Sequence, residues 1–381
     1  RIPEQSVDST AKAGANVASS TRADTAYFNP ANMAWLEDTW HLQGNATWIY
    51  LSPIEYEDAR NPFFNGDSES ENFLVPTGFA VSPSYGGARF GLAIVAPYGL
   101  SKRWKDPYPK AVAEEFSLTV IEVNPSVSYN FGDKFSLGGG VRMLYADATV
   151  KSDASGIGVP LAREMEGDTV EWGWNAALSF KPMDKLNLSA TYRSNVDLDF
   201  EDKAKLNLMG NFVVLDAEVS VPAPAALALS AAYDVLDNLN VEFTWERTFW
   251  SEYETLDFDF TPPVPGNPFE AAQLRDWDDV NVYRLGLTWK LSDSYTLLGG
   301  FGYDENPAPT EAIGFELPDS DAFLYSAGLQ YAVNDKMDLG VAALYDYKTS
   351  RTVKVIPTDR IYGEFTNASA FLLTVGLNYK F

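Results

Sequence analysis

The sequence predicts an all-β transmembrane barrel of about fourteen antiparallel strands, with a small, mostly helical amino-terminal hatch that plugs the lumen. Two observations predict this fold. Apolar and polar residues alternate in many segments of about ten residues, and the connections between these segments are alternately short and long. A third observation is that no run of about 18 apolar residues occurs, so no transmembrane helix is expected. Only a closed barrel then pairs every backbone group in lipid.

The final segment, residues 371–381, carries the clearest alternation. Thr374, Gly376, Asn378 and Lys380 share one face, and Leu372 is the exception on it; the other face holds Phe371, Leu373, Val375, Leu377, Tyr379 and Phe381. Alternation that continues to a terminal aromatic residue is typical of the closing strand of an outer-membrane barrel. We therefore expect this strand to pair with the strand that begins near Thr39.

The remaining strands follow the same period of two. Starting points lie near residues 39, 74, 88, 115, 134, 168, 185, 223, 239, 280, 294, 321, 336 and 368. An even number of strands agrees with single-chain bacterial barrels. Aromatic residues make up 14% of the chain and lie near the ends of the apolar faces, as two interfacial girdles require.

The connections sort by length. Short polar turns occur near residues 131–134, 182–185, 235–238, 292–294 and 333–336, and longer loops near 51–73, 99–114, 152–167, 199–222, 251–279, 304–320 and 348–367. Periplasmic turns and outer loops produce this sorting, whereas a soluble β-sandwich has no reason to show it. Counting back from Phe381 places both chain ends on the periplasmic side of a bacterial outer membrane.

Residues 1–38 lack this alternation and are rich in Ala, Ser, Thr, Asn and Asp. Asp8, Ser9 and Thr10 are suitable to cap a short helix that continues to Ala18. The segment has too few large apolar residues to fold alone. We expect residues 1–38 to form a hatch that plugs a barrel of residues 39–381, with a disordered periplasmic tail as the alternative.

Composition excludes several functions. With 53 acidic and 28 basic residues the net charge is −25, which argues against a nucleic-acid partner. The chain has no cysteine, one histidine and no phosphate-binding loop, so we expect no metal and no cofactor. A lipid hydrolase would need a nucleophile and a base at the outer rim, but His41 lies at the periplasmic end of the first strand. A purely structural barrel or adhesin would not need a plug.

Several short motifs resemble one known family. Asn29, Pro30 and Ala31, between the hatch and the first strand, resemble the Asn-Pro-Ala signature of the FadL family of outer-membrane long-chain fatty acid and hydrocarbon transporters. Further matches span the chain: residues 1–5, 96–100, 171–175, 191–194, 282–286 and 313–319. The resemblance implies a fourteen-stranded barrel with a hatch, no enzyme activity, and a hydrophobic ligand bound inside.

The resemblance also implies a route. Family members are thought to release ligand sideways into the membrane through a gap at a kinked third strand, which corresponds here to Pro97, Tyr98, Gly99 and Leu100. Proline lacks the N–H for a ladder hydrogen bond and glycine tolerates a bend. The alternative is a strand end that runs into a loop. The implied function is passive uptake of long-chain fatty acids, or of aromatic or aliphatic hydrocarbons.

A ligand carboxylate would need a cation in a dry pocket. By resemblance the candidates are Arg275 and, beside Ser152 at the top of the fifth strand, Lys151. The serine departs from the family's basic position, which leaves room for a neutral hydrocarbon. The alternative for both cations is a solvated loop charge.

Other charges are expected to serve the structure. By parity Arg142, Glu171, Arg193 and Arg284 point into the lumen, where they should pair with one another or with the hatch. Acidic outer loops could bridge lipopolysaccharide through divalent cations, or simply keep the loops soluble. We expect a monomer in contact with outer-membrane lipids.

Overall fold

The computed structural model describes residues 1–354 and 361–381. Residues 355–360 of the loop predicted near 348–367 lie outside the described residues. The barrel strands are β1 His41–Leu51, β2 Glu71–Val81, β3 Ala88–Arg103, β4 Glu115–Asn130, β5 Phe135–Asp153, β6 Leu161–Met183, β7 Leu186–Arg193, β8 Ala226–Leu236, β9 Leu239–Thr248, β10 Val280–Lys290, β11 Tyr295–Asp304, β12 Ala322–Asn334, β13 Met337–Lys348 and β14 Ser369–Lys380.

Each of these strands pairs with its neighbours in chain order, and the last pairs with the first. His41 lies opposite Lys380 and Leu51 opposite Ala370, so β1 and β14 are antiparallel along their shared length. The predicted closed antiparallel barrel with fourteen strands is therefore confirmed. Closure leaves no free sheet edge, which is what lipid demands of a spanning sheet.

The alternation in the sequence corresponds to the two faces of the wall. On β1 the side chains of Leu42 and Trp48 are exposed on the outer face, while Asn45 and Thr47 are buried on the inner face. The outer surface is thus apolar and the lumen polar, the reverse of a soluble protein. Among the described residues, no helix is long and apolar enough to cross a bilayer.

The amino-terminal segment lies inside the barrel. It contains helix α1 (Val7–Ala11), helix α2 (Thr25–Phe28) and a 3₁₀ helix (Pro30–Trp35). The Ser6 side chain caps α1 by accepting the N–H of Ser9. Helix α1 ends earlier than the predicted Ala18, because Ala13 and Gly14 adopt positive φ.

Hydrogen bonds hold the hatch to the wall. Glu242, buried on β9, accepts the N–H groups of Val17 and Ala18 at 2.8 Å. The hydroxyls of Thr10 and Thr374 share a hydrogen bond of 2.9 Å. The polar inner faces of the strands thus satisfy backbone groups that the short hatch helices leave unpaired.

Glycines on the inner face allow the hatch backbone to approach closely. A Cβ atom at Gly300 on β11 would lie 2.2 Å from the carbonyl carbon of Lys12, and one at Gly138 on β5 would lie 2.5 Å from the nitrogen of Ala31. Neither contact is physically tolerable, since the atoms met are backbone. Both positions therefore require glycine for the hatch to seat.

The outer side differs from the prediction in two loops. Much of the loops predicted at 152–167 and 199–222 is strand. Strand β6 starts at Leu161, and Val196–Leu208 with Asn211–Ala223 forms a hairpin, here called the outer hairpin. Its first strand pairs with the start of β6 and its second with Asp259–Thr261. The wall continues above the bilayer because Leu198, Phe200 and other side chains on the same face of the hairpin pack into an apolar core there.

Shorter elements complete the outer surface. They are helix α3 (Pro107–Ala113), the strands Glu55–Asp58, Gly66–Asp67, Thr255–Leu256, Gln273–Leu274, Arg351–Val353 and Gly363–Thr366, and the 3₁₀ turns Pro62–Phe64, Ser155–Ile157, Trp250–Glu252, Pro268–Glu270 and Thr310–Ala312.

Gly300→Ala is predicted to dislodge the hatch. The added methyl group must displace the hatch backbone, so we expect a loss of about 1–3 kcal/mol of stability, as for other overpacked sites. Limited proteolysis should then cut within residues 1–38 while the barrel stays resistant. The control is Gly299→Ala, whose Cβ meets no atom within 4 Å. Equal protease resistance in the two variants would contradict the close packing.

Candidate functional site

A cavity of about 350 Å³ lies in the outer half of the barrel. One wall is apolar and comes from β4, β5, the outer hairpin and the loop between β9 and β10. Its side chains include Leu118, Ala148, Val150, Phe200, Val219, Val221, Phe258 and Trp277. The sequence prediction missed the hairpin and loop contributions, although the alternation of Val219 and Val221 was a usable signal.

The rest of the cavity lining is largely charged. Its members are the cations Arg1, Arg275, Arg284 and Lys348 and the carboxylates Glu246, Asp304, Glu305, Glu316, Asp319 and Asp346. Arg1 Nη1 lies 2.7 Å and Arg284 Nη1 3.4 Å from Glu246 Oε1. Lys348 Nζ lies 2.5 Å from Asp319 Oδ1. The cavity thus has an apolar side and a side on which opposite charges already meet.

Arg275 lines this cavity with its charge paired. Its Nη2 atom lies 2.7 Å from Glu316 Oε1, and its Nε donates to the hydroxyl of Tyr253 at 3.4 Å. Burial by itself lowers the pKa of Arg275, but Glu316 and Tyr253 raise it by more. The net shift of the pKa is therefore upward, and the guanidinium stays charged. Arg275 is therefore neither a solvated loop charge nor a free cation.

Lys151 lies elsewhere. Val150 points into the cavity, so its neighbour Lys151 points to the outer side of β5. Lys151 Nζ lies 3.0 Å from Glu166 Oε1, within reach of two further carboxylates. The expectation that Lys151 contacts a ligand in the lumen does not fit this position. Ser152 is buried but is not part of the cavity wall.

The barrel wall is interrupted between β2 and β3. These strands pair only from Val81 opposite Gly91 to Gly78 opposite Ile94. The ladder between β3 and β4 also shifts register between Val95 and Tyr98. Beyond Ile94 the facing edges of β2 and β3 have no rungs in the described structure, and we call this interruption the window.

Both strands that border the window contain a proline. Pro76 lies in β2 and Pro97 in the irregular part of β3, and neither has an N–H for a ladder hydrogen bond. The edges meet again at the outer end, where Arg103 Nη1 lies 3.0 Å from Glu71 Oε2. The window is thus a bounded hole and not an open seam.

The start of the hatch covers the inner side of the window. Gln5 accepts the N–H of Ala96 at 2.8 Å and donates to its carbonyl at 2.9 Å. Ile2 N donates to the carbonyl of Pro97 at 2.8 Å. These bonds replace rungs that β2 does not supply. The next residues of β3 line the cavity: Tyr98, Gly99 and Leu100.

The Asn-Pro-Ala motif fastens the hatch. Asn29 Nδ2 donates to the carbonyl of Val17 and to Ser179 Oγ, both at 2.9 Å. Pro30 begins the 3₁₀ helix, and the carbonyl of Ala31 accepts from Ser136 Oγ at 2.8 Å. The motif therefore contacts the wall and is distant from the cavity lining.

The four charges predicted to face the lumen differ in their partners. Arg142 Nη2 lies 3.0 Å from Glu122 Oε2, and Arg193 contacts the same carboxylate. Arg284 pairs with Glu246, as described above, whereas Glu171 accepts only from Thr169 among its hydrogen bonds in the described residues. Glu122 was missed because the sequence pattern alone does not indicate which strands bring charges together.

Comparisons with known proteins agree over the whole chain. The family model described as outer membrane protein transport protein (OMPP1/FadL/TodX) matches residues 1–381. A long-chain fatty acid transport protein of Escherichia coli O6:H1 is 24% identical over 382 residues, covering 87% of this chain and 83% of its own. Outer membrane protein P1 of Haemophilus influenzae is 26% identical, covering 83% and 78%.

Solved structures show the same fold. A Pseudomonas aeruginosa FadL homologue superposes with a TM-score of 0.87 at 19% identity, covering 99% of this chain and 98% of its own. The toluene transporter TbuX of Ralstonia pickettii gives 0.76 at 16% identity, with the same coverage. The family model, which covers the whole chain, identifies it as an outer-membrane transport protein rather than an enzyme. It belongs to the OMPP1/FadL/TodX family.

Proposed function

We propose that this protein takes up hydrophobic molecules passively, binding them in the cavity and releasing them sideways into the membrane through the window. The proposal rests on the position of the cavity directly beside the window. Tyr98, Gly99 and Leu100 line the cavity and belong to the strand that borders the window. A ligand in the cavity is therefore one residue layer from the interruption in the wall.

Energetics favour this route. Moving an acyl chain out of water gains about 0.8 kcal/mol for each CH₂ group, so the ligand prefers the cavity or the bilayer to a polar path. Straight passage to the periplasm would cross the hatch, whose contacts with the wall are rich in hydrogen-bonded polar groups such as Asn29 of the hatch and Glu242 of β9. The route from the cavity to the bilayer needs no energy source.

Long-chain fatty acids are the first candidate ligands, since relatives at 24–26% identity carry that name. Hydrocarbons are the second, and the observation that favours them is the pairing of Arg275 with Glu316 at 2.7 Å, which leaves no free cation there. Mass spectrometry of molecules that co-purify with the protein tests which class is bound.

We also propose three features of the assembly: residues 1–38 act as a hatch for the barrel of 39–381, the protein works as a monomer, and its outer surface contacts lipopolysaccharide. The net charge of −25 and the acidic outer loops support bridging by divalent cations.

Ala148→Trp is predicted to abolish ligand binding. The indole would occupy the cavity, so the affinity for a neutral fluorescent probe such as N-phenylnaphthylamine should fall by at least about tenfold, or 1.4 kcal/mol. Thr149→Trp is the control, because residue 149 points away from the cavity. Unchanged probe binding in Ala148→Trp would show that the ligand binds elsewhere.

Gly99→Trp is predicted to block release more than binding. Gly99 borders the window, and a Cβ there meets the end of the Ile2 side chain at 3.2 Å and the carbonyl oxygen of Leu118 at an ordinary contact distance of 3.8 Å, so the variant should fold. Uptake of the same probe by cells lacking their own transporter of this family should fall several-fold, with a smaller change in the dissociation constant of purified protein.

The control for that variant is Gly44→Trp, at a position whose Cβ meets no atom within 4 Å. Uptake at the wild-type rate through Gly99→Trp would contradict lateral release and favour passage through the hatch.

A further inference from the structure

We infer that the cavity selects amphiphiles whose head is uncharged and donates a hydrogen bond, such as fatty alcohols, and that it rejects carboxylates. This inference rests on the proposed function and narrows its ligands by head group, since it excludes the ionised form of the long-chain fatty acids named there as the first candidates. A carboxylic acid has an uncharged head that donates a hydrogen bond only in its protonated form.

The cationic side chains of the cavity are already paired. Within the described residues, each of the four cationic side chains of the cavity lies within 3.4 Å of a carboxylate oxygen of the protein. A carboxylate that binds Arg275 would have to share the guanidinium with Glu316, whose side chain is 11% exposed, or displace it. A buried carboxylate that loses its partner is strongly unfavourable, so the incoming anion gains little.

The cavity lining carries an excess of negative charge. Six carboxylates and four cationic side chains line the cavity, a difference of two. An amino group at Arg1 would raise the cations to five and still leave one carboxylate in excess. A ligand anion would therefore meet net repulsion in a site with little water to screen it.

The cavity lining also offers a hydrogen-bond acceptor. Asp346, on the inner face of β13, lines the cavity, and its buried Oδ1 atom has no hydrogen-bond partner in the described structure. A buried acceptor without a donor is costly, and a ligand hydroxyl would supply the missing hydrogen bond. The apolar wall of Leu118, Val150 and Phe258 would then hold the chain of the same ligand.

The experiment compares three ligands of equal chain length, dodecanol, dodecanoate and dodecane, as competitors of N-phenylnaphthylamine. The purified protein is kept in a non-ionic detergent at pH 8. The expected order of affinity is dodecanol, then dodecane, then dodecanoate. Partition into micelles is the same for every variant, so ratios between variants isolate the effect of the head group.

Two variants change the preference in opposite ways. Glu316→Gln releases Arg275 and should raise dodecanoate affinity about tenfold, or 1.4 kcal/mol, with a much smaller change in dodecanol affinity. Asp346→Leu removes the hydrogen-bond acceptor and should lower the affinity for dodecanol to that for dodecane. Resistance of the barrel to detergent denaturation confirms that each variant is folded.

Two controls separate charge pairing from loop loosening. Glu311→Gln removes an exposed carboxylate of the same loop that does not line the cavity, and it should change nothing. Arg275→Gln combined with Glu316→Gln should lose the gain in dodecanoate affinity, because no cation remains to be freed.

The outcomes are distinct. If the wild-type protein binds dodecanoate more tightly than dodecanol, or if Glu316→Gln leaves dodecanoate affinity unchanged, the head-group inference is overturned while cavity binding stands. If neither the probe nor any of the three ligands binds, the proposed function itself fails.

Discussion

Backbone hydrogen bonding in lipid is the constraint on which the rest of this structure depends. No water is available there to satisfy an unpaired N–H or C=O group, so the strands must close on themselves. The pairing of β1 with β14 completes that closure. Once the wall is closed, every strand has a lipid face and a lumen face, and the polar lumen face becomes the surface on which the hatch and the ligand cavity are built.

The window between β2 and β3 is the place where this constraint is relaxed. Pro76 and Pro97 lie in the two strands that border the window and have no N–H, which reduces the number of groups that need a partner. Gln5 and Ile2 of the hatch then satisfy backbone groups of Ala96 and Pro97 that remain. The hatch therefore does more than fill the lumen, since it completes the hydrogen bonding of the interrupted wall.

Charge pairing follows the same logic in the interior. Arg142 and Arg193 share Glu122, and Arg1 and Arg284 share Glu246. A buried ion is tolerated when its partner is fixed, so these pairs specify positions in the lumen without offering a charge to a ligand. In the function proposed above, the apolar wall of the cavity provides affinity and the charged wall discriminates among head groups.

From the sequence alone one can predict the barrel, its closing strand, the inward and outward faces, and the irregular region of the third strand around Pro97, where the ladder shifts register. These features depend on a local period of two and on the missing donor of proline, both of which are visible along the chain. The tertiary structure alone decided that the outer hairpin supplies one wall of the cavity, that Arg275 pairs with Glu316, and that Lys151 points outward. Such contacts join residues distant in the chain, and they depend on strand register and loop packing, which the local pattern does not encode.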